Sequence, residues 1–237
     1  MKWVIGRLAL IVVMYSESAR AQGFSVKSLE LNVGLGESRY SSKTFQIGSP
    51  QSSTPINGEM TISARRREIG RLNILTTNRF GTEGFYSLES TNVTFNRMTT
   101  PVTSLSIPIQ IHAFGVNVLY YPIGKTEDAW RPFVSIGGGA MIYRPTGRGQ
   151  SIATSPLYGN LTSFFESSRG SGSAGLGLKR SFSRSFGVRF DVEDTFTKAP
   201  NFGLPSTSTV PNASVLPVHG LSSNLQASAG IIVYLGR

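Results

Sequence analysis

The sequence predicts an all-β chain folded as an eight-stranded antiparallel up-and-down transmembrane β-barrel. Three observations predict it. Two-residue alternation of apolar and polar side chains recurs along the chain, and in its clearest instance the polar face is charged. Long helical patterns are absent, and no stretch after Ala21 is apolar enough to span a bilayer as a helix. The connections between alternating stretches are long and short by turns.

The clearest instance is Ser185–Thr197, SFGVRFDVEDTFT. Phe186, Val188, Phe190, Val192 and Phe196 alternate with Ser185, Gly187, Arg189, Asp191, Glu193 and Thr195. Successive side chains of a strand point to opposite faces, so one face is apolar and the other charged. A closed barrel in a bilayer needs this division, with apolar side chains toward lipid and charges toward a polar lumen. A soluble half-buried strand would turn the same faces the other way. One strand does not separate the two.

In chain order, the first 21 residues read as a secretion signal. Lys2 and Arg7 make a positive start, Leu8 to Tyr15 an apolar segment, and Ala19-Arg20-Ala21 supplies small residues for cleavage before Gln22. The apolar segment is shorter than the roughly 20 residues of a spanning helix, so removal is expected. Of the 23 basic and 13 acidic residues of the 237-residue chain, 20 and 12 then remain, a net charge of +8. That length suits one all-β domain, residues 22–237. The absence of Cys excludes a disulfide framework and thiolate metal or redox motifs. Export argues against nucleic acid as the partner of the basic balance. The one dense basic cluster is Arg65-Arg66-Arg67, and a basic exterior suits anionic lipid head groups or lipopolysaccharide phosphates.

Eight strands are expected. The first, about Phe24–Glu37, alternates Leu29, Leu31, Val33 and Leu35 with Glu30 and Asn32. The second, about Gly58–Thr76, sets Met60, Ile62 and Ala64 opposite Thr61, Ser63 and Arg65, and loses its period at Arg65–Glu68. A bulge or an exit from the membrane is expected there. The third, about Phe80–Phe95, carries Glu83 and Glu89 on one face and Tyr86 and Leu88 on the other. In the fourth, about Ser104–Tyr121, apolar residues occupy odd positions to Ile111 and even positions from Phe114. This change of phase predicts a bulge near Ala113. The fifth, sixth and eighth are about Trp130–Tyr143, Gly172–Phe182 and Asn224–Leu235, and Ser185–Thr197 is the seventh.

With both termini at one end, the long connections Ser38–Asn57, Arg144–Ser171 and Lys198–Ser222 fall at the other, and the short turns near Thr77–Arg79 and Ser183–Arg184 stay with the termini. The connection Arg97–Thr103 is middling. Short periplasmic turns and long exterior loops are what an outer-membrane barrel shows. Tyr120, Tyr121, Trp130 and Tyr234 are expected at the periplasmic rim, where amphipathic rings favour the membrane–water boundary.

These features resemble the small outer-membrane β-barrel families, the OmpA-like and opacity-type barrel domains. The resemblance covers Gln22–Arg237 and rests on Arg131–Gly139, on Gly175-Leu176-Gly177-Leu178 followed by Arg189–Asp194, and on the closing strand. Gly230, Val233 and Leu235 sit where the barrel-assembly machinery reads its clients, with Leu235 in place of an aromatic and Gly236-Arg237 added. The resemblance implies a protein of the Gram-negative outer membrane, with outer-membrane lipid, lipopolysaccharide and that machinery as partners.

An eight-stranded barrel is just wide enough for side chains to fill it. The expected inward set is Glu30, Arg65, Arg67, Glu83, Glu89, Lys179, Arg189, Asp191 and Glu193. Ions taken out of water must be paired, so this set predicts an interlocked plug and no open pore. No catalytic residue, cofactor or metal is expected. Asp191, Glu193 and Asp194 suggest an acid–base pair, but Asp194 points away from the other two, and structural pairing explains them. His112 and His219 lie on different elements and lack a third ligand for zinc. His219 with Ser222 lacks an orienting acid. Gly137-Gly138-Gly139 and Gly147-Arg148-Gly149 lack the spacing of a phosphate loop. The long loops are expected to be mobile surface segments that carry any recognition function. The reading is an envelope-structural or surface-interaction barrel. The alternatives are an outer-membrane lipid-modifying enzyme, such as a deacylase or acyltransferase, and a soluble lipocalin-like ligand-binding barrel.

Overall fold

The computed structural model describes residues 26–47, 56–97, 103–123, 130–153, 164–204, 206 and 216–236. The expected leader, residues 1–21, and its cleavage site lie outside them. Among the described residues the strands are β1 (Ser28–Tyr40), β2 (Lys43–Ile47), β3 (Ile56–Ile62), β4 (Arg65–Leu75), β5 (Phe80–Arg97), β6 (Thr103–Tyr120), β7 (Trp130–Pro145), β8 (Ser167–Ser181), β9 (Phe186–Lys198) and β10 (Leu221–Gly236), with a short helix, α1 (Gly147–Ala153), after β7. All pairings are antiparallel. β10 pairs with β1 and β5 with β6, which closes the sheet on itself and leaves the barrel no open seam.

Ten strands make eight wall strands because two are interrupted. The β1–β4 hairpin places Ser38 opposite Arg65, and the β2–β3 hairpin places Lys43 opposite Met60, so the second continues the first in register. Along β5 the register does slip. Ile62 faces Val93, yet Arg67 faces Glu89, so four residues (Ser63–Arg66) oppose three (Ser90–Asn92). This is a β-bulge at the place where the sequence loses its period. It is held by Ser63 N–H to Asn92 O at 3.0 Å and by the Thr91 hydroxyl to Ser63 O at 2.6 Å. One extra residue exchanges the faces. Met60 and Ile62 therefore point inward above the bulge, and Arg67, Arg71 and Asn73 below it.

The fourth wall strand corrects the sequence reading. β6 pairs with β5 without interruption from Thr103 to Tyr120, and with β7 from Ile109 to Tyr120, so there is no bulge near Ala113. Odd-numbered residues face inward throughout. What changes is the surroundings. Ile107, Ile109, Ile111 and Ala113 are buried inside, whereas Phe114, Val116 and Val118 are exposed outside. Ser104 and Ser106, on the outer face of the upper half, are exposed to solvent. The barrel thus has two tiers of opposite polarity. The lower is apolar outside and charged inside, and the upper is polar outside and apolar inside.

The exposed belt of the lower tier includes Leu31, Val33, Leu35, Ile136, Leu176, Phe186, Phe190, Val192, Leu225 and Ile231. Phe186, Phe190 and Val192 look outward while Arg189 and Asp191 are buried, which excludes the lipocalin-like arrangement. The upper tier is a packed core. Phe164 and Phe202 stack with centroids 4.5 Å apart, and Phe95 and Tyr143 meet Phe202 edge-on. Phe202 has a φ of 50°. That backbone costs a bulky residue about 1–2 kcal/mol, and burying the ring returns a comparable amount, about 1.5–3 kcal/mol.

Two short turns at the opposite end use one device. The Thr77 hydroxyl accepts from Arg79 and Phe80 N–H at 3.2 and 2.9 Å, and the Ser183 hydroxyl accepts from Ser185 and Phe186 N–H at 3.2 and 3.0 Å. A hydroxyl at the first corner satisfies backbone donors that a tight turn leaves free. The long connections are shorter than the sequence suggests, because β1 runs to Tyr40 and β8 starts at Ser167. Their described residues are also not all surface. Phe164, Phe202, Leu204, Leu216 and Val218 fold down into the mouth of the barrel.

The tiers predict opposite tolerance to charge on one strand. Val116→Arg should cost about 2–4 kcal/mol, the penalty for an arginine on a lipid face. Ser106→Arg should stay within about 0.5 kcal/mol. Urea titration of folding into vesicles measures both, and equal costs would show that Ser106 and Val116 share one environment.

Candidate functional site

The strongest concentration of chemistry lies in the lower lumen. Among the described residues ten charged side chains are buried: the acids Glu30, Glu83, Glu89, Asp191 and Glu193, and the bases Arg67, Arg71, Arg131, Lys179 and Arg189. Five oppose five, so the formal charges of this buried set cancel.

Four of them form a ring of alternating sign. Arg189 Nε donates to Asp191 Oδ1 at 2.8 Å, and its two terminal nitrogens fork onto Glu83. Arg71 donates to Asp191 Oδ2 at 2.8 Å, and its Nε stands 3.7 Å from Glu83. Each carboxylate therefore sees two guanidinium groups. The geometry follows from topology. β5 and β9 are diametrically opposed in the strand order, so the Arg189–Glu83 fork ties opposite walls across the lumen. Planar arginine forks suit such bridges because they bind a carboxylate through two parallel hydrogen bonds.

A second pair closes the end near the short turns. Lys179 on β8 bonds Glu30 on β1 and the Tyr121 hydroxyl, the latter at 2.7 Å. Asn73 donates to Glu30 at 2.9 Å. The Arg131 guanidinium lies 3.6 Å from the centroid of the Tyr121 ring and donates to Asn78 O at 2.7 Å, binding the network to the first turn. Phe133 lies under the Arg189 guanidinium at 4.6 Å. Two glycines make room. A Cβ on Gly177 would stand 2.3 Å from the Phe133 ring, and one on Gly137 would stand 2.0 Å from Asn117 Oδ1. Asn117 in turn donates to Glu193 at 3.1 Å. Toward the upper tier the charges take hydroxyl partners: Glu89 accepts from Ser38 and from Tyr40 at 2.9 Å, and Arg67 donates to Ser87.

No protein-family model matches the chain, and no curated protein matches its sequence. Solved structures do match. Outer membrane protein AlkL, determined in DMPC lipid bilayers, superposes with a TM-score of 0.55 at 12% identity, over 90% of this chain and 93% of AlkL. Neisserial surface protein A gives 0.47 at 10% identity, over 86% and 96% of the two chains. The N-terminal β-barrel domain of Pseudomonas aeruginosa OprF gives 0.42 at 11%, over 89% and 98%. The chain has the fold of the small outer-membrane β-barrels.

Within this barrel, eight of the nine residues expected in the lumen are buried on inward faces. Arg65 is the exception. It sits in the bulge and is exposed, because the extra residue turns it away from the face that Arg67 takes. Arg71 and Arg131 were missed. Both follow from parity, Arg71 from Arg67 on β4 and Arg131 from Phe133 on β7. Two of the four expected rim aromatics are also corrected. Tyr121 is fully buried and Tyr234 is 8% exposed, its hydroxyl 2.8 Å from that of Ser181. Both occupy inward positions of their strands, so parity outweighs their interfacial preference. Trp130 is exposed and Tyr120 packs against Phe80 at 5.2 Å.

The remaining candidates are dispersed. Asp191 and Glu193 share the inward face, whereas Asp194 points outward to the Ser223 hydroxyl at 2.7 Å. Ser222 is buried with its hydroxyl 3.2 Å from that of Ser41, and His219 is exposed on the connection before β10. His112 lies on β6 against the Tyr86 hydroxyl at 2.8 Å. Gly147-Arg148-Gly149 opens α1, whose Gly149 N–H is capped by the Thr146 hydroxyl at 3.0 Å, and Gly137–Gly139 lie within β7.

The ring predicts a strong asymmetry between single and paired substitutions. Arg189→Met leaves Glu83 and Asp191 to share Arg71 and should cost about 3–5 kcal/mol. Adding Glu83→Gln to it should recover a substantial part. Urea midpoints of the two variants in vesicles test this, and additive losses would show that the pair is not coupled.

Proposed function

We propose that the protein resides in the bacterial outer membrane as a closed, non-conducting, non-enzymatic barrel. Its extracellular tier serves an envelope-structural or surface-interaction role. The observation that carries this reading is the pair of stacked seals. The lower lumen is filled by the ion-paired set that joins β1, β4, β5, β8 and β9. The upper lumen is filled by the core of Val93, Ile107, Ile109, Met141, Phe164 and Phe202. Water and ions meet first an apolar stretch and then side chains paired with one another. A barrel of eight strands has no further width to spare.

The exposed belt supports contact with outer-membrane lipid, and the outward Val233 and Leu235 of β10 support recognition by the barrel-assembly machinery through the closing strand. Described residues at the upper end, His219 and Glu166 among them, are exposed and open to a partner.

Single-channel recording in planar bilayers tests the seals. The full barrel should show no stable, large unitary conductance. A stable large conductance from the intact protein would refute the closed reading.

A further inference from the structure

Between the ion-paired lower lumen and the apolar upper core lies a polar layer whose charges do not balance. At the periplasmic end Lys179 pairs with Glu30, and Arg131 lies over the Tyr121 ring that holds Lys179. In the ring, Arg71 and Arg189 meet Glu83 and Asp191. The other buried charges belong to the layer above. Glu193 is the next inward residue beyond Asp191 on β9, and Arg67 and Glu89 are register partners on β4 and β5. The ten cancel as a set, yet this layer has two acids and one base.

Neither acid is in an ion pair among the described residues. Glu193 accepts from the Asn117 amide at 3.1 Å, and Arg67 donates to Ser87 instead of Glu89. Nearer the mouth, Arg169 is partly exposed and donates to Asn201 at 2.5 Å. The Ser38 and Tyr40 hydroxyls both donate to Glu89 Oε2, and Glu89 Oε1 is buried without a partner. Asn224 is 1% exposed, and neither atom of its amide has a hydrogen bond. It projects inward beside Tyr40, its register partner across the β1–β10 ladder, so Asn224 and Glu89 flank one tyrosine.

Tyr40 packs against the apolar core, which closes the layer from above, and the ring of alternating charge closes it from below. A buried carboxylate oxygen and a buried amide without partners cost free energy that an ion or a water recovers. The available acceptors are all oxygen, from a carboxylate, an amide and hydroxyls, which suits a hard cation. One positive charge balances the layer, whereas a divalent ion would reverse its sign.

We infer that this layer binds one monovalent hard cation, Na⁺ or K⁺, with Glu89 Oε1 and Asn224 Oδ1 as ligands. A water of the ion's shell accepts from the Asn224 amide. The cation enters as the barrel closes, since both ends of the layer are sealed afterwards. Only that slow exchange rests on the closed reading.

The test titrates the full chain with urea in vesicles, in NaCl, KCl or choline chloride at one ionic strength. Choline is too large for the site. For a Kd of about 10 mM, about 100 mM of the fitting cation should raise the folding equilibrium constant roughly tenfold over choline. Glu89→Gln keeps the shape and an acceptor for both hydroxyls, and should abolish that difference. Asn224→Leu should narrow it, and keeps the test open should Glu89→Gln misfold. Equal stability of the wild type in all three salts overturns the inference, as does a cation effect unchanged in Glu89→Gln. Stabilisation by micromolar Ca²⁺ but by neither monovalent ion overturns the choice of charge. Failure of the closed reading shows separately, as unitary conductance in planar bilayers.

Discussion

A charge taken out of water has to meet its opposite, and the lower half of this molecule is arranged around that requirement. A barrel wall that shows apolar side chains to lipid must turn its other face inward, and in eight strands that face has almost no room for water. Asp191 and Glu83 each sit between Arg71 and Arg189, so neither acid nor base is left with a single partner. Cross-lumen pairs also do what backbone hydrogen bonds cannot. The ladder joins each strand to its neighbours, whereas Arg189 to Glu83 joins opposite walls.

The upper tier solves a different problem with the same backbone. Beyond the membrane the outer face meets water, so apolar side chains gain by turning inward. Two strands manage the exchange differently. The β3–β4 wall strand inserts one residue at Ser63–Arg66 and swaps its faces, which brings Met60 and Ile62 inside. β6 keeps its register and changes composition instead, with Ile111 and Ala113 inside and then Phe114 and Val116 outside. Both routes reach the same result, because burial depends on the medium beyond each face and not on the strand itself.

That explains which parts of the molecule were legible in the sequence. Strand number, the bulge near Arg65 and eight of the nine lumen charges are legible in the two-residue periodicity, and the closed barrel in that periodicity together with the alternation of long and short connections. The bulge expected near Ala113 did not form, because a change of apolar phase has two causes and periodicity cannot tell them apart. A slip in register produces it, and so does a change of solvent along an unbroken strand. The start of β8 was placed late for another reason. Ser167–Ser171 is polar and glycine-bearing with no pattern to read, yet its backbone pairs with Gly139–Tyr143 and extends the wall. Pairing of that kind is supplied by the neighbouring strand, which no local window contains.

Parity would have recovered most of what was missed. Tyr121 and Tyr234 were assigned to the rim by residue type, although their positions relative to Leu119 and Ile232 place them inside. Arg131 was passed over in a stretch whose next inward residue, Phe133, was already in view. In a closed barrel the face of one secure residue fixes the face of every other on that strand until a bulge intervenes. Residue preference then decides only what an inward tyrosine does there. Tyr121 puts its ring under Arg131 and its hydroxyl on Lys179, and so becomes part of the charge network instead of the girdle.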